Sequence, residues 1–328
     1  MATVLVTGGA GYIGSHACKA LARAGHVPVC YDGLVTGWSD AVRFGPFEEG
    51  RLQDRDRLDA VIAAHRPGAV MHFAALSDVG EASRDPARYW ENNVGGSLTL
   101  LEAMAAGGVR HMVFSSTCAV YGDAAAAAGL DEATPTGPLN AYGASKLAVE
   151  HMLRDFGMAH GLTHVAFRYF NVAGADPDGE VGEHHRPETH LIPRILEAAS
   201  ARGEGLTVNG DDYPTRDGTC IRDYVHVSDL VDAHVKGLDY LLAGGASTVF
   251  NLGTRDGASV REVIAAARTV TGLDIPLTVG PRRPGDAVAL VSASDRAREV
   301  LGWEPVRDLS EMIATAWAWH QKGEVYRA

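Results

Sequence analysis

Thr3-Val4-Leu5-Val6-Thr7-Gly8-Gly9-Ala10-Gly11-Tyr12-Ile13-Gly14 is the stretch that decides the fold. Its first five residues are an apolar, β-branched run with the composition of a strand buried on both faces. A helix-like pattern follows over 12–24. Between them the glycines fall at Gly8, Gly11 and Gly14. Glycine there lets the chain turn tightly, brings backbone N–H groups close to a pyrophosphate and packs helix against strand. A glycine pattern alone is weak, but here a strand leads in and a helix leads out. Asp32 ends the next strand-like run, 24 residues after Gly8. A carboxylate at that place accepts both ribose hydroxyls of an adenosine and repels a 2′-phosphate, so the reading is NAD rather than NADP. Arg43 and Arg51 lie near it in sequence and are read as surface residues.

Further strand candidates lie at 27–31, 69–73, 111–116 and 163–169, with helix-like stretches near 55–65, 87–106 and 142–160. This alternation predicts an α/β fold, a Rossmann-type doubly wound parallel sheet. Past residue 172 the texture changes to loops rich in Gly, Pro and Asp at 173–187 and 209–219. A helix at 228–243 and a strand at 249–253 return to the first unit, and the remainder reads as a smaller C-terminal α/β lobe. The run Ala124–Ala128 reads as a surface turn or helical filler.

The composition agrees. The 328 residues suit about two domains, and a chain of this length buries ~75% of its unfolded surface without disulfides or metals. Hydrophobic residues at 46% exclude wholesale disorder, and a net charge of 29 − 41 = −12 disfavours nucleic acid or an anionic membrane as partner. Cys18, Cys30, Cys118 and Cys220 lack C-x-x-C spacing and read as reduced thiols. No apolar run has membrane-span length, and the N-terminal residues read as strand rather than signal peptide, so a cytoplasmic location is expected.

Tyr142-Gly143-Ala144-Ser145-Lys146 carries the second signal. Tyr142 and Lys146 lie one helical turn apart on one face. An ammonium beside a phenol draws the phenol's pKa down from ~10, which makes Tyr142 a general base. Thr117, 25 residues earlier, falls at the C-terminal edge of a strand, where open parallel sheets bind ligands.

Together these segments resemble the extended short-chain dehydrogenase/reductase family and, within it, the UDP-glucose 4-epimerase (UDP-galactose 4-epimerase) group. The resemblance runs through TGGAGYIGSH (7–16), HFAA (72–75), VGEA (79–82), NNVGGS (92–97), SSTCAVYGD (115–123) and YGASK (142–146). It continues through RYFNVAGADPDG (168–179), GDDYPTRDGTCIRDYVHVSDL (210–230), NLGT (251–254) and RRPGD (282–286). It implies NAD-dependent inversion at C4 of a UDP-hexose through a transient 4-keto sugar, with Tyr142, Lys146 and Thr117 catalytic. It implies NAD on Gly8, Gly11, Tyr12, Ile13, Gly14, Asp32, Phe73, Ala74, Ala75, Asn92, Tyr142, Lys146 and Tyr169. The UDP-sugar would lie on Thr117, Asn171, Arg222, Arg283, Asp286 and Leu290, Leu290 falling beside the sugar's 2-substituent. By the same resemblance, 1–172 plus 223–253 form the NAD-binding domain and 173–222 plus 254–328 the UDP-sugar-binding domain. Homodimerisation is implied through the helices near 87–106 and 142–160.

Three positions depart from the family pattern: Ser77 where some members carry lysine, Arg51 where an aspartate usually faces adenine, and Asn209 where an aromatic often stacks on uracil. The alternatives are an epimerase of UDP-N-acetylhexosamines or UDP-pentoses, then a sugar-nucleotide dehydratase or decarboxylase. The last two want an acid directly after Thr117, and Cys118-Ala119 stand there. A regulatory module that merely binds NAD is the most distant reading. Glu183, His184, His185, Glu188 and His190 crowd together, but no H-x-x-x-H pair exists and Pro187 interrupts them, so no metal is expected. His72 reads as a core residue, and His16 as one facing pyrophosphate or solvent.

Overall fold

A computed structural model describes residues 1–124, 129–200, 205–283, 286–323 and 326. Residues 125–128 of the alanine run, and Pro284 and Gly285 of the 282–286 motif, therefore lie outside the described residues. The central sheet has seven parallel strands: β1 (Thr3–Thr7), β2 (Val27–Asp32), β3 (Phe47–Glu49), β4 (Ala69–His72), β5 (His111–Ser115), β6 (Thr163–Tyr169) and β7 (Thr248–Leu252). Their spatial order is β7-β6-β5-β4-β1-β2-β3. The order reverses between β1 and β4, and that crevice is where a doubly wound sheet binds its ligand.

Why these runs make a two-faced sheet follows from the period of two along a strand. Val4 and Val6 point to one face and Leu5 to the other, all three with no exposed surface. On the first face they meet α1 (Tyr12–Arg23) and α5 (Val227–Leu242), through Ala17, Leu21, Leu230 and Leu238. On the second they meet α2 (Arg55–His65), α3 (Gly96–Ala106) and α4 (Ala141–His160), through Leu58, Leu100 and Leu153. Each buried Val or Leu among them stabilises the fold by roughly 1.5–3 kcal/mol.

The stretch expected as one helix near 87–106 is interrupted. Pro86–Tyr89 is α-helical, Trp90–Gly95 forms a π-turn, and Gly96–Ala106 resumes the α-helix. Such widened turns carry i→i+5 bonds and are frequent at functional sites. The short strand β3 and the helix Val79–Arg84 escaped the sequence reading, both too brief to show a period.

A second core gathers Ile192, Ile195, Val263, Ile264, Met312 and Ile313 from the helices Leu191–Ala199, Val260–Thr271 and Leu309–His320. Its strands are short: Leu206–Asn209 pairs with Leu277–Gly280, and Ile221–Arg222 pairs with Ala258–Ser259 and Ala289–Leu290. Lys19 of α1 ties the two cores together, its ammonium reaching Asp176 at 2.6 Å and Asp178 at 2.8 Å. The Tyr12 hydroxyl donates to the Gly174 carbonyl at 2.6 Å and adds a second tie. Among the described residues no helix is long and apolar enough to cross a membrane.

Candidate active site

The glycine turn is dictated by sterics. Gly8 takes φ +76°, and a Cβ there would stand 2.6 Å from the Ala74 amide nitrogen. A Cβ on Gly14 would stand 2.0 Å from the Gly8 carbonyl oxygen. Any other residue would push β1, the turn and α1 apart. The helix that follows starts at Gly11 with no side-chain cap and no acid in its first turn. Its free N–H groups, with the positive end of the helix dipole, make a ready anion site. Asp32 closes β2 beside this turn, its carboxylate accepting from the Ala10 amide at 3.0 Å and the Leu34 amide at 2.8 Å. Burial raises its pKa and those two amides pull it back. A buried carboxylate held by the turn, and a cradle that any Cβ would fill, fit a dinucleotide.

A cavity of about 790 Å³ runs from this turn along the C-terminal edge of the sheet into the second core. It is lined by Gly8, Gly11, Tyr12, Ile13, Gly14 and Asp32 at one end. Phe73, Ala74, Ala75, Asn92 and Tyr169 line its flanks, and Thr117, Tyr142 and Lys146 its middle. Asn171, Arg222, Arg283, Asp286 and Leu290 line the far end. Every residue that the resemblance assigns to catalysis, cofactor or substrate thus faces one space. Arg51 and Ser77 also line it, Arg51 exposed, whereas Asn209 is not among the lining residues.

Tyr142 and Lys146 sit at the start of α4, whose first turn is capped by Asn140, its side chain accepting from the Gly143 amide at 2.9 Å. The Lys146 ammonium donates to the Ser115 carbonyl at 2.8 Å, pinning α4 to the end of β5. Burial pushes its pKa down to about 7. Burial also pushes the Tyr142 phenol well above 10, opposed by a hydrogen bond with the Thr117 hydroxyl. Desolvation is the largest influence on the phenol, and the Thr117 hydroxyl opposes it. Tyr169, whose hydroxyl lies 2.5 Å from Ser115 Oγ, adds to the rise in Tyr142.

At the far end the Arg222 guanidinium donates to the carbonyls of Ile221 (2.8 Å) and Ala287 (2.9 Å). Arg283 engages Asp286 through two bonds, 2.8 and 3.2 Å, and Arg222 lies 3.5 Å from the same carboxylate. Leu290 pairs with Arg222 across the small sheet, which carries its side chain to the same end. Asn171 pairs with Tyr224 in a separate two-strand ladder.

Two supporting arrangements were not read from the sequence. The π-turn buries Asn93, whose side chain accepts from the Leu76 amide at 2.8 Å and donates to Ser145 Oγ at 3.1 Å, joining the cavity wall to α4. The signal available was Asn92-Asn93 beside Gly95-Gly96 within a helical stretch. Behind the catalytic edge, Glu150 lies four residues beyond Lys146. It accepts from Ser116 Oγ at 2.5 Å and from Arg168 at 2.6 and 3.0 Å. His72 is a core residue as expected, between Thr7 (2.6 Å) and Ser97 (2.8 Å). His16 does not face solvent: it is buried, with Nδ1 2.7 Å from the Tyr12 carbonyl.

Comparison with known proteins agrees with this geometry. Residues 4–253 match the NAD dependent epimerase/dehydratase family. A UDP-glucose 4-epimerase of Rhizobium leguminosarum bv. trifolii is 52% identical over 320 residues, covering 98% of either chain. The solved structure of UDP-glucose 4-epimerase from Brucella ovis in complex with NAD is 48% identical, covers 97% of this chain and 98% of its own, and superposes with a TM-score of 0.95. That of UDP-glucose 4-epimerase from Bifidobacterium longum in complex with NAD+ and UDP is 36% identical over 98% of either chain, with a TM-score of 0.92. With the uncapped glycine turn, the carboxylate at the end of β2 and the Tyr142/Lys146 pair in one cavity, this chain belongs to the NAD dependent epimerase/dehydratase family.

Proposed function

We propose that this protein is an NAD-dependent UDP-hexose 4-epimerase, interconverting UDP-galactose and UDP-glucose through a transient 4-keto sugar. One observation carries the reading. A single cavity joins the anion-binding turn and Asp32 to Tyr142, Lys146 and Thr117, and these to the paired arginines Arg222 and Arg283. The identity to UDP-glucose 4-epimerases over nearly the whole chain supports both the reaction and the substrate.

Gly8, Gly11, Tyr12, Ile13 and Gly14 would hold the pyrophosphate of NAD and Asp32 its adenosine ribose, with Phe73, Ala74, Ala75, Asn92, Tyr142, Lys146 and Tyr169 along the remainder. When bound, NAD would supply the redox chemistry at C4. Tyr142 would accept the proton of the substrate's 4-hydroxyl and return it to the same oxygen. The Thr117 hydroxyl, bonded to the phenol, shares the proton's path. Lys146, with a pKa of about 7, gains and loses a proton near neutrality and supports ionisation of a phenol that burial opposes. Arg222 and Arg283 hold the diphosphate with guanidinium forks, Asp286 and Asn171 complete the substrate end, and Leu290 lies by the sugar's 2-substituent. Most binding energy falls on the nucleotide, which leaves the sugar free to turn over. Cys118 after Thr117 leaves a dehydratase without its extra acid.

In this reading 1–172 plus 223–253 form the NAD-binding domain and 173–222 plus 254–328 the UDP-sugar-binding domain. The protein is assigned to the cytoplasm as a homodimer pairing through the helices of 87–106 and 142–160. The exposed Trp90, Leu98 and Met158 on those segments support the pairing face. The test is turnover of UDP-galactose by the purified protein, with the bound nucleotide released and identified. UDP-glucose formation with NAD as the released nucleotide is expected. No turnover, NADP as the bound form, or a stoichiometric need for added NADH contradicts the assignment.

A further inference from the structure

Beyond that reading, we propose that Glu183, His185, Glu188 and His190 form a zinc site in the wall of the substrate cavity. Four donors, one from each side chain, all lie within 4.8 Å of one another. His185 Nδ1 is 3.2 Å from Glu183 Oε1 and 3.6 Å from Glu188 Oε2, and His190 Nδ1 is 2.9 and 3.0 Å from Oε1 of Glu183 and Glu188. Zinc bonds of about 2.0–2.2 Å in a tetrahedron place neighbouring donors about 3.3–3.6 Å apart, so the set is already near the required size. Two neutral imidazoles and two carboxylates cancel the charge of one divalent ion and suit zinc in softness.

The part-exposed His185 ring already points its Nδ1 at both carboxylates, at 3.2 Å from Glu183 and 3.6 Å from Glu188, so the donors converge on one point.

The backbone carrying these donors is fixed from outside. The Trp319 indole N–H donates to the Glu183 carbonyl at 3.0 Å, and that of Trp38 to the His184 carbonyl at 2.8 Å. Glu188 Oε1 accepts from the amides of Thr189 and His190, each at 2.8 Å, which orients the carboxylate as outer contacts orient metal ligands. No metal signal is legible in the sequence because the spacing is that of a loop interrupted by Pro187. The fold closes the loop so that donors two to seven residues apart meet. Glu183 and His185 border both the main cavity and a neighbouring one of about 300 Å³, and half-exposed His190 opens the site to the main cavity as a route of entry. Zinc here would lock the loop that faces the substrate, from outside the Tyr142 chemistry.

The experiment strips the full chain of metal with a chelator and titrates it with Zn²⁺ by equilibrium dialysis, with Co²⁺ as the spectroscopic probe. One equivalent of Zn²⁺ per chain, a higher Tm on loading, and the intense visible absorption of four-coordinate Co²⁺ are expected. The double variant His185→Asn/Glu188→Gln should lose at least about a hundredfold in Zn²⁺ affinity while keeping its NAD content, which reports its fold. Absence of stoichiometric uptake, uptake unchanged in a variant that keeps its NAD, or a six-coordinate Co²⁺ spectrum in the unaltered protein would overturn the proposal. The Co²⁺ readout decides even where the variant fails to fold.

Discussion

The two ends of the cavity are built on different physics. At the cofactor end the constraint is steric. Long parallel strands bury both faces, and the turn after β1 leaves no space for a Cβ at Gly8 or Gly14. At the substrate end the strands are two to four residues long, and order comes from charge: Arg222 and Arg283 share Asp286. In the proposed reading, a cofactor kept through every cycle suits a rigid cradle, and a sugar that must present both faces suits a site that grips the nucleotide electrostatically and leaves the hexose free.

The largest effect that sharpens this contrast is acid instability centred on the cofactor end, with His226 on its border with the second core. His16, His72, His226 and His234 are buried neutral, with pKa values lowered to between about 3 and about 4, chiefly by desolvation. The unfolded chain binds protons at these sites below pH ~6.5 and the folded chain does not, so stability is complete above that pH and falls as pH drops toward the folded values. Between pH 6.5 and 5 the four together should cost on the order of 6 kcal/mol. Denaturant titrations at a series of pH values measure the slope. His234→Leu, replacing a ring packed between Phe73 and Phe167, should flatten it by about a quarter, because one of the four proton sites is gone.

Next in size is Tyr142→Phe. Loss of a positioned proton-transfer group should lower kcat by about 10²–10⁴, with KM little changed because the diphosphate supplies most of the affinity. Steady-state kinetics on UDP-galactose measure it, and near-normal turnover would mean that the proton leaves by another group. Arg283→Ala probes the opposite end. Removing a charge-assisted contact worth ~1.5–3 kcal/mol should raise KM about 10–100-fold and leave kcat nearly intact. A fall in kcat alone would show that the substrate end is not the electrostatic clamp described.

Much of this contrast is legible in the sequence, and unevenly. The glycine turn and the Tyr142/Lys146 pair can be read because their constraints are local: a turn without Cβ atoms, and two side chains one helical turn apart. The Ser116–Glu150–Arg168 network, with partners 34 and 18 residues apart, has no local signature. Nor has the gathering of Glu183, His185, Glu188 and His190, which depends on Trp38 and Trp319 from distant segments. For the Tyr142 phenol, spacing gives the neighbour Lys146, but burial, the largest influence on its pKa, is a property of the assembled fold.

The smallest expected effect concerns the sugar. In the proposed reading Leu290 stands by the sugar's 2-substituent, and a misfit of a few heavy atoms is worth ~1–3 kcal/mol. The protein should therefore turn over UDP-N-acetylglucosamine more slowly than UDP-galactose, and Leu290→Tyr should widen the gap. The ratio of kcat/KM values checks it, and an unchanged ratio would remove Leu290 from specificity.

The central claim, that one hydride leaves C4 and returns to it from the retained cofactor, is tested most directly by NMR of UDP-galactose incubated with the purified protein in D₂O without added NAD or NADH. The account predicts conversion to UDP-glucose with protium kept at C4. Deuterium at C4, or no conversion until a reduced nucleotide is added, would contradict it.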